Sequence, residues 1–412
     1  MTRRASLLAV AALLAAAFVH DAEAARPLTP LPALAATFTA TSYAPGALAR
    51  LRVTGEVRRV ELQVLRAGAE RAWSSVGRPW GPPEQLRFRR GTVNTVLVRL
   101  GAWSSGLYFA RLTAPGGRAV AFAPFVVRPA VPGAARVAVI IPTYSWQAYN
   151  FYDANRDGRG DSWYVDSHRH SVVLGRPFAG NGKPPHYRTQ QRGFLRMLVH
   201  TGRQADYLTD EDLEQVASGD DLAHRYDAIF FSGHEEYVTT HIYDVIQRYR
   251  DLGGNLLFMS ANNFFRRVDR GGGRLRLVGL WRDLGRPEAA LCGVQYAASD
   301  RGKRQAPYTV TGADLAPWAF EGTGLVNGSR FGLYGIEIDS TTPSSPTGTQ
   351  VLARIPDLLG PGRTAEMTYY ESPSGARVFS AGAMNFGGQI ALWPEAQRLF
   401  ENVWARLAPP GG

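Results

Sequence analysis

Short apolar runs that end at polar turns recur along the chain, and the run at 228–231 is the clearest of them. Its four residues, Ala-Ile-Phe-Phe, favour a strand, and the run stops just before Gly233. Residues 239–253 then carry apolar side chains at helical spacing and end in glycine. The pattern predicts a buried strand, a turn and an amphipathic helix. The turn presents four side chains together, namely His234, Glu235, Glu236 and Tyr237.

The same succession of buried strands and helices extends over a domain predicted at 135–409. Residues 135–142 and 254–261 are almost continuously apolar. This pattern is typical of strands in a parallel sheet that is covered on both faces. Because helical segments lie between such strands, the order predicts an α/β fold with a doubly wound parallel sheet. After about residue 271 the pattern becomes irregular and rich in strand formers, and a helix over roughly 389–407 closes the chain.

Residues 25–130 have a different pattern, in which short, partly alternating segments are separated by proline and glycine turns. Strands at this spacing predict a small all-β, immunoglobulin-like sandwich. A linker rich in proline and glycine at 128–133 separates the two predicted domains.

The first 24 residues have the pattern of a targeting segment. Arg3 and Arg4 precede an apolar stretch at 7–19, and Ala-Glu-Ala at 22–24 fits a cleavage site. The pattern predicts a signal peptide over 1–24 and an exported protein, periplasmic or secreted. The apolar stretch is short for a membrane span, and we predict no membrane helix after it.

The net charge of +11 comes almost wholly from arginine, because Lys183 and Lys303 are the only lysines. The arginines are scattered and form no basic stripe with interleaved aromatic residues, so we expect no nucleic-acid partner. The sequence leaves the oligomeric state open, a homo-oligomer included.

Polar and aromatic residues follow three of the predicted strands, at 144–149, at 234–237 and at Asn262. In an open α/β sheet the carboxyl ends of the strands form the crevice where ligands bind. These turns contain neither Gly-x-Ser-x-Gly nor Gly-x-Cys-x-Gly. Any chemistry there must come from acids, imidazole, phenols or a metal; the alternative is a set of ordinary solvated turns.

Several segments together resemble the C-terminal domain of the N,N-dimethylformamidase large-subunit family. They lie in order at 142–150, 176–178, 207–213, 232–237 and 253–262. The resemblance covers roughly 135–409 and implies a fold similar to that of class I glutamine amidotransferases. It also implies hydrolysis of a small amide at a mononuclear, non-haem iron that is held by two tyrosines and one glutamate.

Carried over position by position, the resemblance implies that Tyr149 is the first tyrosine ligand and Glu236 the carboxylate ligand. Tyr164 is our choice for the second tyrosine, and Tyr187 is its competitor. Phenolate and carboxylate oxygens are hard ligands that suit ferric iron. Such an ion polarises an amide carbonyl.

The resemblance also implies catalytic residues beside the metal. His234 would move protons there, and Asn262 and Glu371 resemble the other polar residues of the family's site.

The segment at 153–164 also matches most of a calcium-binding loop. Gly158 stands at the sixth position, while Tyr164 stands at the twelfth, where a glutamate belongs and for which Asp166 is a substitute. Calcium is therefore a second candidate ion, and the alternative is a polar surface loop. The residues at positions one, three, five and nine are Asp153, Asn155, Asp157 and Asp161.

Two functions are consistent with the sequence. The first is an exported metal-dependent hydrolase, an amidohydrolase that cleaves a C–N bond of a small amide. The second is a non-catalytic, amidotransferase-like binding module of the cell envelope, stabilised by calcium. Bound iron favours the first, and tightly bound calcium without a transition metal favours the second.

Overall fold

The computed structural model describes residues 31–71, 76–164, 170–300 and 302–408. The predicted signal peptide at 1–24 and Asp166 lie outside the described residues.

The N-terminal region consists of short strands in two sheets. Its strands are β1 (Leu34–Phe38), β2 (Ser42–Tyr43), β3 (Leu48–Gly55), β4 (Arg59–Arg66), β5 (Arg78–Pro79), β6 (Glu84–Arg87), β7 (Asn94–Arg99), β8 (Gly106–Thr113) and β9 (Val120–Val127). One sheet has the order β1-β3-β7, and the other has the order β2-β9-β8-β4-β5 with β6 beside β4. Apolar side chains of both sheets pack into one cluster, in which the rings of Phe38 and Phe125 lie 4.5 Å apart. The region is therefore a two-layer sandwich with its own core.

The second region holds the remaining strands and the α-helices. Its strands are β10 (Val137–Ile141), β11 (Ser171–Val173), β12 (Asp206–Thr209), β13 (Ala228–Phe231), β14 (Tyr237–Val238), β15 (Asn255–Phe258), β16 (Arg266–Gly271), β17 (Arg274–Leu280), β18 (Gln295–Ser299), β19 (Gln305–Val310), β20 (Arg330–Gly335), β21 (Glu337–Ser340), β22 (Gln350–Ile355), β23 (Ala365–Glu371) and β24 (Arg377–Ser380). Its helices are α1 (Thr143–Ala148), α2 (Tyr187–Gln190), α3 (Arg192–His200), α4 (Asp210–Leu213), α5 (Gly219–Arg225), α6 (Thr240–Asp251), α7 (Ala289–Cys292), α8 (Pro317–Phe320), α9 (Phe386–Gln389) and α10 (Pro394–Leu407). None of the described helices is long and apolar enough to cross a membrane.

The predicted doubly wound parallel sheet is wrong. The central sheet is mixed, with nine strands in the order β12-β10-β13-β15-β24-β23-β22-β19-β20. The first five strands are parallel, and those from β23 onward are antiparallel. The chain is 34% strand and 21% helix, and its antiparallel strands need no helical crossovers. The amidotransferase-like, doubly wound architecture is therefore not the fold of this chain.

The parallel strands bring the predicted strand ends together. Strand β13 pairs with β10 on one side and with β15 on the other, in both cases in parallel. All three strands are buried except at Asn255, where β15 begins. Their carboxyl ends therefore lie at one edge of the sheet, and the segments that follow them meet there.

The sandwich and the second region share an apolar cluster and a buried ion pair. Phe109 of β8 packs against Tyr187, with ring centroids 5.3 Å apart. Arg192, at the start of α3, donates from Nε to Glu70 Oε1 at 2.8 Å, and the two side chains are 1% and 0% exposed. The interface between the two regions is therefore packed like an interior.

Candidate functional site

Three connections at the carboxyl edge of the parallel strands carry the candidate site. Helix α1 follows β10 and ends at Tyr149, whose amide donates to the Ser145 carbonyl at 3.1 Å. A buried turn at 232–236 follows β13, and a buried turn at 260–264 follows β15. Each turn reaches the edge because its strand is packed on both sides by parallel neighbours.

The hydroxyl of Tyr149 donates to Glu236 Oε2, and the Tyr149 ring stacks on His234 with centroids 5.6 Å apart and planes at 24°. Tyr237 lies against both Tyr149 and Glu236: its ring centroid is 5.6 Å from that of Tyr149, and its hydroxyl interacts with the Glu236 carboxylate. His234, Glu236 and Tyr237 are all at most 3% exposed. Two phenols, a carboxylate and an imidazole thus lie in one group, in which Tyr149 is partly buried and the other three are buried. We call these four residues the catalytic cluster, after the role predicted for them.

Glu236 is held from two sides. Its amide donates to Ser145 Oγ at 3.0 Å, and its Oε1 accepts from Arg266 Nε at 3.2 Å. Burial raises the pKa of Glu236, while the Arg266 guanidinium opposes this rise. The carboxylate is thereby fixed with one oxygen on a cation and the other on the phenol of Tyr149.

His234 lies between two carboxyl groups. Its Nε2 is 3.3 Å from Glu236 Oε2 and 3.7 Å from Glu337 Oε2, and it has no hydrogen-bond partner among the described residues. Burial, helped by the nearby His186, lowers the pKa of His234 to about 3. The imidazole is therefore neutral near pH 7.

Asn262 connects this group to two acids that the sequence analysis missed. Its side-chain Nδ2 donates to Glu337 Oε2 and its amide donates to Asp339 Oδ1, both at 2.8 Å. These bonds hold Asn262 at a φ of 58°, an uncommon conformation for a residue with a side chain. Burial and the charge of Glu236 raise the pKa of Glu337 to about 8. Glu337 is the first residue of β21. The one local feature of the sequence that could have pointed to it is the spacing of two acids, Glu337 and Asp339, on alternate positions.

The structure places both candidates for the second tyrosine outside this hydrogen-bonded group. The ring of Tyr164 is 5.9 Å from that of Tyr149, but the residue is 49% exposed. Tyr187 is buried in the shared interface with the sandwich. Tyr237, which lies beside Glu236 in sequence, is the second tyrosine that the structure brings to the carboxylate.

Glu371 lies away from the catalytic cluster. It ends β23, which runs antiparallel to β24, and pairs in register with Arg377, at the start of that strand. It is therefore at the opposite edge of the sheet, where it accepts hydrogen bonds from Tyr369 at 2.5 Å and from Arg406 at 2.7 Å. The resemblance implied a site role for Glu371, and the structure does not bring this residue to the other predicted site residues.

The acids of the predicted calcium loop hydrogen-bond to the loop's own backbone. Asp153 accepts from the amides of Asp157 and Gly158 at 3.2 and 2.8 Å. Asn155 accepts from the amide of Asp157 at 3.1 Å, and Asp161 accepts from the amide of Ala154 at 2.9 Å. The calcium site stays a prediction.

The side-chain atoms of the catalytic cluster that can act as metal ligands determine which cations it could bind. In the described ranges, no group of three or more His, Cys, Asp or Glu side chains could hold a metal ion. A metal here would therefore depend on the phenols of Tyr149 and Tyr237. Burial and the charge of Glu236 raise both of their pKa values well above the usual range, so these phenols ionise only beside strong positive charge. Two phenol oxygens and a carboxylate fit a hard cation such as ferric iron.

Solved structures are similar to the chain over about half of its length. The N-terminal domain of mmIFT52 is 12% identical over 53% of this chain and 90% of that chain, with a TM-score of 0.31. A ThuA-like protein from Parabacteroides merdae ATCC 43184 is 16% identical over 52% of this chain and 82% of that chain, with a TM-score of 0.34. At such scores these similarities carry no argument about the site.

No curated protein matches the chain. The family model described as N,N-dimethylformamidase beta subunit-like, C-terminal, matches residues 92–399, which is most of the chain. The chain therefore belongs to the N,N-dimethylformamidase beta subunit-like, C-terminal family.

Proposed function

We propose that this chain is an exported metal-dependent hydrolase that cleaves the C–N bond of a small amide. Family membership supports the reaction class. The observation that carries the proposal is the buried contact of Tyr149 with Glu236, with Tyr237 and His234 against both. The export rests on the sequence of residues 1–24 alone.

The residues that would hold iron are Tyr149, Tyr237 and Glu236. A bound ion would supply Lewis-acid polarisation of the amide carbonyl. The chain itself supplies a dry setting, because His234, Glu236 and Tyr237 are nearly fully buried, and buried groups interact strongly with a developing charge.

Two side chains of the site are placed to move protons. His234 Nε2 has no hydrogen-bond partner among the described residues and would take a proton from the attacking water. The oxygen of that water bonds to the carbonyl carbon, and the C–N bond breaks. The departing nitrogen receives a proton from the Glu337 carboxyl, which Asn262 positions 3.7 Å from His234. The products are a carboxylic acid and an amine.

The identity of the second tyrosine can be tested by metal content. Tyr237→Phe is expected to lower bound iron at least about tenfold, since each ligand contributes strongly to metal affinity. Tyr164→Phe is its control, because this residue is half exposed and outside the hydrogen-bonded group. Iron per chain is measured by mass spectrometry after expression in iron-replete medium. Loss of iron in Tyr164→Phe with retention in Tyr237→Phe would reverse the assignment.

Glu337→Gln tests the proton donor. The variant is expected to keep its iron and to lose roughly 10²–10⁴-fold in kcat, the usual contribution of a positioned acid or base. Amine release from formamide, acetamide and N,N-dimethylformamide is the measurement. Glu371→Gln is the matched control, since that acid lies at the opposite edge of the sheet, and its rate should equal that of the parent chain. Iron-loaded protein that releases amine from no amide of a wider panel would overturn the proposed reaction.

A further inference from the structure

The positive charge of the chain is concentrated in the sandwich region. Residues 25–130 contain 15 of the 46 basic residues, all of them arginine, and only four of the 35 acidic residues. They carry a net charge of +11, while the rest of the chain carries 31 positive and 31 negative charges. The arginines are scattered along the sequence, so the fold decides where they meet on the surface.

The outer face of β3 and β7 carries three of these arginines. Strand β3 alternates between residues of the sandwich core and exposed residues, and Arg50 and Arg52 are among the exposed ones. Arg99 is exposed on β7, which is the edge strand of this sheet. Phe109, which packs against the second region, lies on the other sheet of the sandwich. The outer face of β3 and β7 therefore presents its side chains to solvent.

Five more exposed arginines lie at the end of the sandwich where β3 stops and β4 and β7 begin. The Gly91 amide, between β6 and β7, donates there to the carbonyl of Gly55, the last residue of β3, at 3.2 Å. Arg59 and Arg87 stand directly opposite each other on paired strands, and like charges in that position cost stability. The five residues are Arg58, Arg59, Arg87, Arg89 and Arg90.

The structure does not neutralise this charge. In the described part of the sandwich, Arg128 is the one arginine with an ion pair, and its partner Asp212 belongs to the second region. Glu56 precedes β4 at the same end, but the described residues show no ion pair between it and an arginine. A concentration of unpaired positive charge attracts anions and is unfavourable without them.

Exposed leucines lie among the arginines of the outer face. Leu97 stands directly across from Arg50, and Leu48 directly across from Arg99. The two leucines are 56% and 49% exposed. The described residues of this face expose no aromatic ring, so it offers no platform on which nucleic-acid bases could stack. Interleaved cationic and apolar side chains suit the surface of a phospholipid bilayer, where arginine meets phosphate and leucine enters the acyl boundary.

We infer that the outer face of β3 and β7, with the adjoining arginine-rich end, docks on an anionic phospholipid bilayer. The inference does not rest on the proposed hydrolase activity. It gives the sandwich a role of its own, which is to hold the neutral second region at a membrane surface. Because exposed charges are screened beyond a Debye length of about 10 Å at 0.1 M salt, binding should weaken as the salt concentration rises.

Co-sedimentation with lipid vesicles tests the inference. The chain from residue 25 onward is used, so that the apolar stretch at 7–19 cannot itself bind lipid. Vesicles of phosphatidylcholine and phosphatidylglycerol in equal parts should bind the chain saturably, and phosphatidylcholine alone at least about tenfold more weakly. Arg50→Gln combined with Arg52→Gln and Arg99→Gln should weaken binding about 100-fold, because each arginine near an anionic surface contributes about fivefold.

The matched control removes the same charge from three exposed arginines of the second region, Arg276, Arg330 and Arg363. Since these residues lie outside the proposed face, binding should stay within about twofold of the parent chain. Leu48→Ser combined with Leu97→Ser keeps the charge and should weaken vesicle binding about tenfold, because the apolar insertion is lost. Circular dichroism confirms that each variant is folded.

The inference is overturned if the parent chain does not bind anionic vesicles at low salt, or if the control variant loses as much binding as the variant of the outer face. It is also overturned if the leucine variant binds vesicles as tightly as the parent chain does. Binding to heparin or to an RNA oligonucleotide without binding to vesicles would assign the face to a soluble polyanion and so contradict the bilayer.

Discussion

Glu236→Gln is expected to abolish iron binding and amide hydrolysis together. Among the described residues, Glu236 is the carboxylate that interacts with both phenols of the catalytic cluster. An amide in its place keeps the size but removes the negative charge that a hard cation requires. Iron should fall from about one ion per chain to a trace. Iron is measured by mass spectrometry, and a visible absorption band from phenolate bound to ferric iron should vanish with it.

Glu371→Gln is the matched control, because it makes the same chemical change at an exposed surface pair. It should leave the iron content and the absorption band as they are. Tyr149→Phe should repeat the loss seen with Glu236→Gln, since it removes the phenol that donates to Glu236. The metal-dependent hydrolase proposal would be contradicted if the parent chain bound no transition metal under iron-replete expression. If Glu236→Gln kept its iron, Glu236 would not be a ligand of the metal.

Part of the candidate site could be predicted because its residues follow strands that are parallel neighbours in the sheet. The apolar runs at 135–142, 228–231 and 254–261 became β10, β13 and β15, which are adjacent and parallel. When such strands are adjacent, their carboxyl ends meet, so residues far apart in sequence reach one edge. Tyr149, His234, Glu236 and Asn262 lie there for this reason.

Residues outside the parallel strands could not be placed in this way. Glu337 reaches the site from β21, which pairs with β18 in a separate two-stranded sheet and meets the segment after β24 at one bridge, between Ile338 and Ala383. Its position depends on how the β18–β21 pair packs against the segment after β24, and no local pattern predicts that. Glu371 was carried over from the family resemblance, and the direction of β23 places this residue at the other edge of the sheet.

The extent of the parallel sheet was overestimated because an apolar strand has the same local pattern in either direction. What differs is the connection, since parallel strands need a long crossover and antiparallel strands do not. The β-rich pattern after residue 271 was the relevant signal. The family match begins at residue 92, within the region assigned to the sandwich, whereas the resemblance seen in the sequence began at 135. Close packing between the two regions is consistent with a family unit that includes part of the sandwich.

Arg192→Met is expected to destabilise the whole chain by roughly 3–5 kcal/mol, because it leaves the Glu70 carboxylate buried without its main partner. The pair is 1% and 0% exposed and joins the sandwich to α3. Urea unfolding, followed by tryptophan fluorescence, gives the free energy of unfolding. Since replacement of a whole buried pair costs far less than breaking it, Arg192→Met combined with Glu70→Gln should recover much of the loss.

The matched control is Arg248→Met, which breaks an ion pair of similar geometry at the surface. Arg248 lies 2.9 Å from Asp220, and the two side chains are 54% and 44% exposed. Water solvates both groups after the change, so no measurable loss of stability is expected. If Arg192→Met cost as little as this control, water would reach Glu70, and the sandwich would be only loosely attached. A large loss, recovered in the double variant, would instead show that the two regions fold as one unit.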